Sequence, residues 1–155
     1  MLENVQLAVL EHRGVGGILF GGATLQRRAA EVAYTLLASL GLADQAGRTV
    51  AELPYGRQRL VEVAIALALE PKVLLLDEPA AGVPPADSHL MMDVIARLPQ
   101  NIAVLIIEHD MKLVFRFAER ISVLVQGRLL VEGTPAEIAA DPLVREVYLG
   151  RRAHG

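Results

Sequence analysis

The sequence predicts an α/β domain with a helical lobe in front of it, and three observations carry that prediction. Two apolar runs, Val73–Leu76 and Ile102–Ile107, proceed without alternation and end in polar residues, as strands of a parallel sheet covered on both faces do. A stretch with helical apolar spacing separates them, giving the strand, helix, strand order of a parallel unit. Everything before the first run, residues 1–70, shows helical spacing and loops.

In chain order, Leu2 to His12 puts Leu2, Val5 and Val9 on one side with Leu7 and Leu10 nearby, a short amphipathic helix. Five glycines then fall between Gly14 and Gly22. Gly17, Gly22, Ala23 and Thr24 approach the phosphate-loop pattern GxxxxGK[ST], but Ala23 stands where the lysine belongs and a helix, not a strand, precedes it. The stretch therefore reads as a flexible loop. Gln26 to Leu40 carries Ala29, Val32, Ala33, Leu36, Leu37 and Leu40 at helical spacing, and Gly41 supplies a stop. Pro54 and Gly56 break the chain before a helix that runs to Leu69 with Leu60, Val63, Ala64 and Leu67 on one face. After the first strand, Val83, Pro84 and Pro85 form a stiff turn into a helix over Asp87–Leu98, with Leu90, Met91, Val94, Ile95 and Leu98 inward. Met111–Glu119 reads as a helix and Ile121–Val125 as a third apolar strand. Gln126-Gly127 is a two-residue hairpin turn leading back through Leu129 to Glu132. Thr134, Pro135 and Glu137 spell a capped helix start, Asp141-Pro142 opens the last helix through Tyr148, and the terminal RRAHG reads as frayed. The segments expected are 1–70, helical; 71–133, strands and intervening helices; and 134–155, closing helices.

Composition narrows the function. With 155 residues, 53% of them hydrophobic, the chain suffices for one domain with a real core. A net charge of −3 with scattered Lys and Arg argues against nucleic acid as a partner. There is no cysteine, hence no disulfide or thiolate chemistry. No stretch approaches the ~20 apolar residues of a membrane span, so a link to a membrane is expected to run through another protein.

Chemistry gathers at strand ends. Asp77 and Glu78 follow a buried strand at the carboxyl edge, where ligands of parallel sheets sit. Successive strand residues face opposite ways, so the two acids differ in role: one can hold a metal and the other can accept a proton from water. Taken alone, such a pair is equally compatible with a capped core strand. His109, with Glu108 and Asp110, ends the second strand at the same edge, where a histidine is either a structural hydrogen-bonder or a ligand contact. The helix start near Gly56, with Arg57 and Arg59, offers N–H groups and positive charge to an anion, or is a turn with solvated arginines.

The ordered set LPYGRQ (Leu53–Gln58), VLLLDEP (Val73–Pro79) and IIEHDM (Ile106–Met111) resembles the ATP-binding cassette (ABC) ATPases. The details LPYG, DEPAAG, IEHDMKLV and EGTPAEI resemble the subunits that drive branched-chain amino acid uptake in bacteria. The resemblance covers residues 1 to about 150 and implies a P-loop NTPase fold: a helical subdomain followed by a mainly parallel sheet flanked by helices. It implies Asp77 as the Walker B acid acting on Mg²⁺, Glu78 as the general base for the attacking water, and His109 as the switch histidine on the γ-phosphate of ATP. Leu53, Pro54, Tyr55, Gly56, Arg57 and Gln58 correspond to the signature loop that contacts ATP bound by a second ABC ATPase subunit. Membrane permease subunits are the other implied partners, which places the protein in the cytoplasm, at the inner face of the plasma membrane.

Departures from the family pattern shape the functional expectation. Pro54 and Tyr55 stand where serine and glycine are usual, Arg57 where glutamine is common, and Pro84 where the D-loop carries aspartate or asparagine. The phosphate-loop lysine, the adenine-stacking aromatic and the glutamine loop are missing, so the chain is expected to be the C-terminal part of a cassette, beginning just after the glutamine loop. The expected function is a partial ATP-hydrolysing subunit of an amino acid importer, inactive alone, with apolar strand edges exposed. The alternative is a degenerate, non-catalytic module that binds a permease or a partner cassette.

Overall fold

A computed structural model of the chain describes residues 1–14 and 22–149. Gly17 of the loop that resembles a phosphate loop, and the terminal RRAHG, lie outside the described residues. The chain forms two compact units, Met1–Glu108 and His109–Gly155.

In the first unit, α1 (Leu2–His12) packs on α2 (Ala23–Ser39), and both pack on α3 (Tyr55–Leu67). Short 3₁₀ turns, Ala43–Gln45 and Val50–Glu52, connect α2 to α3. Val5, Val9, Ala29, Ala33, Leu37, Leu60, Ala64 and Leu67 fill the space between the helices, as their spacing predicts. Leu7, grouped with the apolar side of α1 in sequence, is 60% exposed. The stop at Gly41 is a Schellman motif: Gly41 has φ +71°, its N–H donates to Ala38 O at 3.0 Å, and Leu42 N–H donates to Leu37 O at 2.8 Å.

β1 (Val73–Asp77) and β2 (Ala103–Ile107) form a two-stranded parallel sheet in register Val73↔Ala103 to Asp77↔Ile107. The expectation of strands covered on both faces is corrected here. Leu74 is buried and Leu76 half-buried on one face, while Leu75 (68%), Leu105 (58%) and Ile107 (60%) are exposed. An apolar run shows that a strand can be buried; what lies across each face decides whether it is. α4 (Pro85–Ile95) connects the two strands with Pro85 in its first turn. Its buried stripe is Ser88, Met91, Met92 and Ile95, so Met92 is inward and Leu90, expected inward, is exposed. The methionines are core residues, as the sequence predicts.

The second unit contains α5 (Met111–Phe117), the hairpin β3 (Ile121–Val125) and β4 (Arg128–Gly133), α6 (Pro135–Ala140), and α7 (Pro142–Val144) continued by a π-helical segment, Arg145–Leu149. The hairpin turn has φ +50° at Gln126 and +75° at Gly127, the left-handed pair that a type I′ turn needs. Ile121, Val123, Ile138 and Val144 form its core.

The predicted capping box at Thr134 is present. Glu137 N–H donates to the Thr134 hydroxyl oxygen, and the Glu137 carboxylate accepts from Thr134 N–H at 2.7 Å. Those bonds, the backbone one first and the hydroxyl one second, hold the Glu137 carboxyl below its ordinary value. A depressed folded-state value means that the stabilisation is present above the unfolded-state value and is lost as pH falls through the folded-state one. Thr134→Ala is therefore expected to lower stability by roughly 0.5–2 kcal/mol at neutral pH. It should also flatten the fall in stability on acidification below about pH 5. Urea unfolding of both proteins from pH 7 to 3 checks this, and parallel curves with no offset would contradict it.

Candidate active site

The first unit brings three segments to the carboxyl end of its parallel strands. Asp77 is the last residue of β1, and the ladder continues one step further because Glu78 N–H donates to Ile107 O at 2.9 Å. Glu78 then adopts φ +43°, a left-handed backbone that is costly for a residue with a side chain, on the order of 1–3 kcal/mol. Such strain persists only where neighbours hold it. The turn that follows has Ala81 N–H on Glu78 O at 3.0 Å and Val83 N–H on Ala80 O at 3.1 Å, and Pro79 within it is buried. Glu108, just past β2, accepts from Ala80 N–H at 3.1 Å and ties the turn to the neighbouring strand. Sequence reasoning assigned Glu108 no role of its own, although an acid at the end of the neighbouring strand is the available signal.

The signature-like segment lies beside this turn. Leu53 is buried, and its carbonyl accepts from Gln58 Nε2 at 2.8 Å. Pro54 is the N-cap of α3, its carbonyl accepting the N–H groups of Arg57 (2.9 Å) and Gln58 (3.1 Å). Gly56 is not the chain break that the sequence predicts; it is buried inside the first turn of α3. A Cβ there would stand 3.1 Å from Val83 Cγ1 and 3.5 Å from Asp87 Cβ, so glycine permits the close approach of α3 to the start of α4. The two arginines read as possible anion contacts both have partners within the chain. Arg57 Nη1 donates to Gly41 O at 3.1 Å, at the end of α2. Arg59 pairs with Glu62 at 2.8 Å, a bond that raises its pKa above the ordinary arginine value, and its guanidinium also donates to the Tyr55 hydroxyl.

Between α3 and β1 lies a cleft of about 230 Å³ lined by residues that include Arg59, Glu62, Leu76, Asp77 and Pro79. Among the described residues, no three His, Asp or Glu side chains gather into a metal cage. Mg²⁺ held together with nucleotide phosphates needs only one or two carboxylates, so Asp77 at its strand end is the donor type that fits. His109 opens the second unit, exposed, directly before Asp110, whose Oδ1 caps α5 by accepting from Lys112 N–H at 2.9 Å. The structure thus brings Asp77, Glu78, Glu108 and the start of α3 together within the first unit and places His109 with respect to the second alone. No helix among the described residues is long and apolar enough to cross a membrane.

Comparison with known proteins agrees with this arrangement. The sequence pattern of the family described as "ABC transporter" matches residues 2–81, and that of "Branched-chain amino acid ATP-binding cassette transporter" matches residues 128–154. The chain is 40% identical to the high-affinity branched-chain amino acid transport ATP-binding protein LivG of Salmonella typhimurium, over 97% of this chain and 62% of LivG. It is 42% identical to the corresponding BraF protein of Pseudomonas aeruginosa, over 81% of this chain and 50% of BraF. It therefore spans about three-fifths of LivG's length. Among solved structures, a nucleotide-free ATP-binding cassette from an ABC transporter superposes with a TM-score of 0.75 at 28% identity, covering 96% of this chain and 62% of that one. The ADP conformation of MJ1267, an ATP-binding cassette of an ABC transporter, gives 0.73 at 28% identity, covering 94% and 62%. With a family match over half its length and a cassette fold, the chain belongs to the ABC transporter family.

Proposed function

We propose that this chain is part of the ATP-binding subunit of an amino acid importer, supplying the acid pair and the signature segment to ATP sites formed between two cassettes. The observation that carries the reading is Asp77 and Glu78 at the end of a parallel strand, with Glu78 held in a left-handed backbone on a turn tied to the next strand. Asp77 would hold Mg²⁺ with the nucleotide phosphates, where the ion supplies charge neutralisation. Glu78 would orient the attacking water and accept its proton, and His109 would contact the γ-phosphate. Leu53 to Gln58 would face the ATP bound by the partner subunit, the first-turn N–H groups of α3 suiting an anion. Residues 1–70 would form the lobe facing the membrane permease subunits, residues 71–133 would carry the acids and His109, and residues 134–155 would close the chain. Docking to the permease would hold the protein at the inner face of the plasma membrane. The relatives named for branched-chain amino acid transport support the substrate class.

The 155 residues contain no GK[ST] sequence to cradle phosphates. Purified by themselves they are expected to show no ATP turnover above a Glu78→Gln control. Supplying a polypeptide with the phosphate-loop half of a cassette should restore ATP binding. Robust turnover by the 155 residues alone would overturn the division of labour proposed here.

A further inference from the structure

We propose that Tyr55 is a positioning residue for the turn that carries Glu78, seated on Gly82 and held there by Arg59. The start of α3 and the turn after β1 meet through two glycines used in opposite senses. At Gly56 the bare backbone receives a side chain from the turn, since a Cβ there would lie 3.1 Å from Val83 Cγ1. At Gly82 the bare backbone receives a side chain from α3, since a Cβ there would lie 3.4 Å from Tyr55 Cε1. Each segment thus inserts one side chain over a glycine of the other, and two offset contacts resist both sliding and separation.

The Tyr55 ring is itself held. Arg59 lies one helical turn further on, with its guanidinium carbon 4.9 Å from the ring centroid and Nη2 donating to the phenol oxygen, while Nη1 pairs with Glu62 at 2.8 Å. The turn beneath needs such support. Glu78 (φ +43°) and Gly82 (φ +73°) both occupy the left-handed region, and only short turn bonds, Ala81 N–H to Glu78 O and Val83 N–H to Ala80 O, close it internally. Tyr55 is 42% exposed, so the ring lies over the turn at the surface and adds little to the core. The positioning role rests on Glu78 acting as the base; the seat of Tyr55 on Gly82 does not.

Hydrogen–deuterium exchange of the 155-residue chain reads the seat without nucleotide. Tyr55→Ala is expected to speed exchange at the Ala81 and Val83 amides by about three- to tenfold, with α1 and α2 amides unchanged. Arg59→Gln should produce a smaller increase at the same two amides, and Tyr55→Phe, which keeps the ring, should retain most of the protection. Unchanged exchange in Tyr55→Ala, or acceleration shared equally by α1 and α2, would overturn the proposal. In the complex that copurifies with the chain from its own cells, Tyr55→Ala should lower kcat for ATP with KM kept. A raised KM with kcat kept would place Tyr55 on the nucleotide, and faster turn exchange with unchanged kcat would remove the positioning role. ATP hydrolysis surviving Glu78→Gln in that complex would count against the base assignment instead, and the exchange data would still judge the seat.

Discussion

Glu78→Gln is expected to lower kcat for ATP hydrolysis by about 10²–10⁴-fold in an assembly where this chain completes an ATP site, with nucleotide affinity retained. Glutamine keeps the length and most of the hydrogen-bonding capacity of glutamate but cannot take a proton from the attacking water. The backbone at position 78 should tolerate it, because the left-handed φ of +43° penalises both side chains alike, and the bonds that define the turn are made by main-chain atoms of Glu78. The loss should therefore fall on the chemical step, with the melting temperature unchanged. Steady-state hydrolysis set beside equilibrium binding of a fluorescent ATP analogue separates the two terms. A kcat within a few-fold of the unsubstituted protein, with binding intact, would mean that another group activates the water.

The largest expected effect on stability comes from the helical lobe. Leu37→Ala should destabilise the chain by about 2–5 kcal/mol, the range for truncating a fully buried leucine. Leu37 is 0% exposed on α2, the helix that packs on both α1 and α3. Removing its branched end leaves a void that three helices would have to close together, while the Schellman bonds at its carbonyl stay, because they are main-chain. Leu36, adjacent and half-buried, provides the control: Leu36→Ala should cost about 1 kcal/mol or less, in proportion to the smaller area that it removes from water. Urea unfolding followed by circular dichroism tests both. Equal losses from the two substitutions would mean that α2 does not present Leu37 to a packed interior.

Signals that act over a few residues were readable in the sequence. The helical stop at Gly41, the Gln126-Gly127 hairpin turn and the Thr134 capping box each depend on neighbours within about five positions, and the structure contains all three. The stripes of α2 and α3 follow from a fixed helical period, and only its phase can be misjudged, as at Leu7 and Leu90. The strands were a different problem. β1 and β2 are where the apolar runs place them, yet Leu75 and Leu105 are exposed, since nothing in a run of leucines records what covers each face.

By itself the sequence determined the order of elements, their caps and turns, and the motifs at Leu53–Gln58, Val73–Pro79 and Ile106–Met111 that point to the ABC family. The tertiary structure alone decided that Gly56 is a close-packing residue inside α3, that Glu108 reaches the Ala80 N–H, and that Tyr55 lies on Gly82. Periodicity and capping are properties of a short stretch of backbone. Contacts between residues some thirty positions apart exist only once β1, β2 and α3 have been brought together, and a glycine or an acid looks the same in sequence whether or not it makes one.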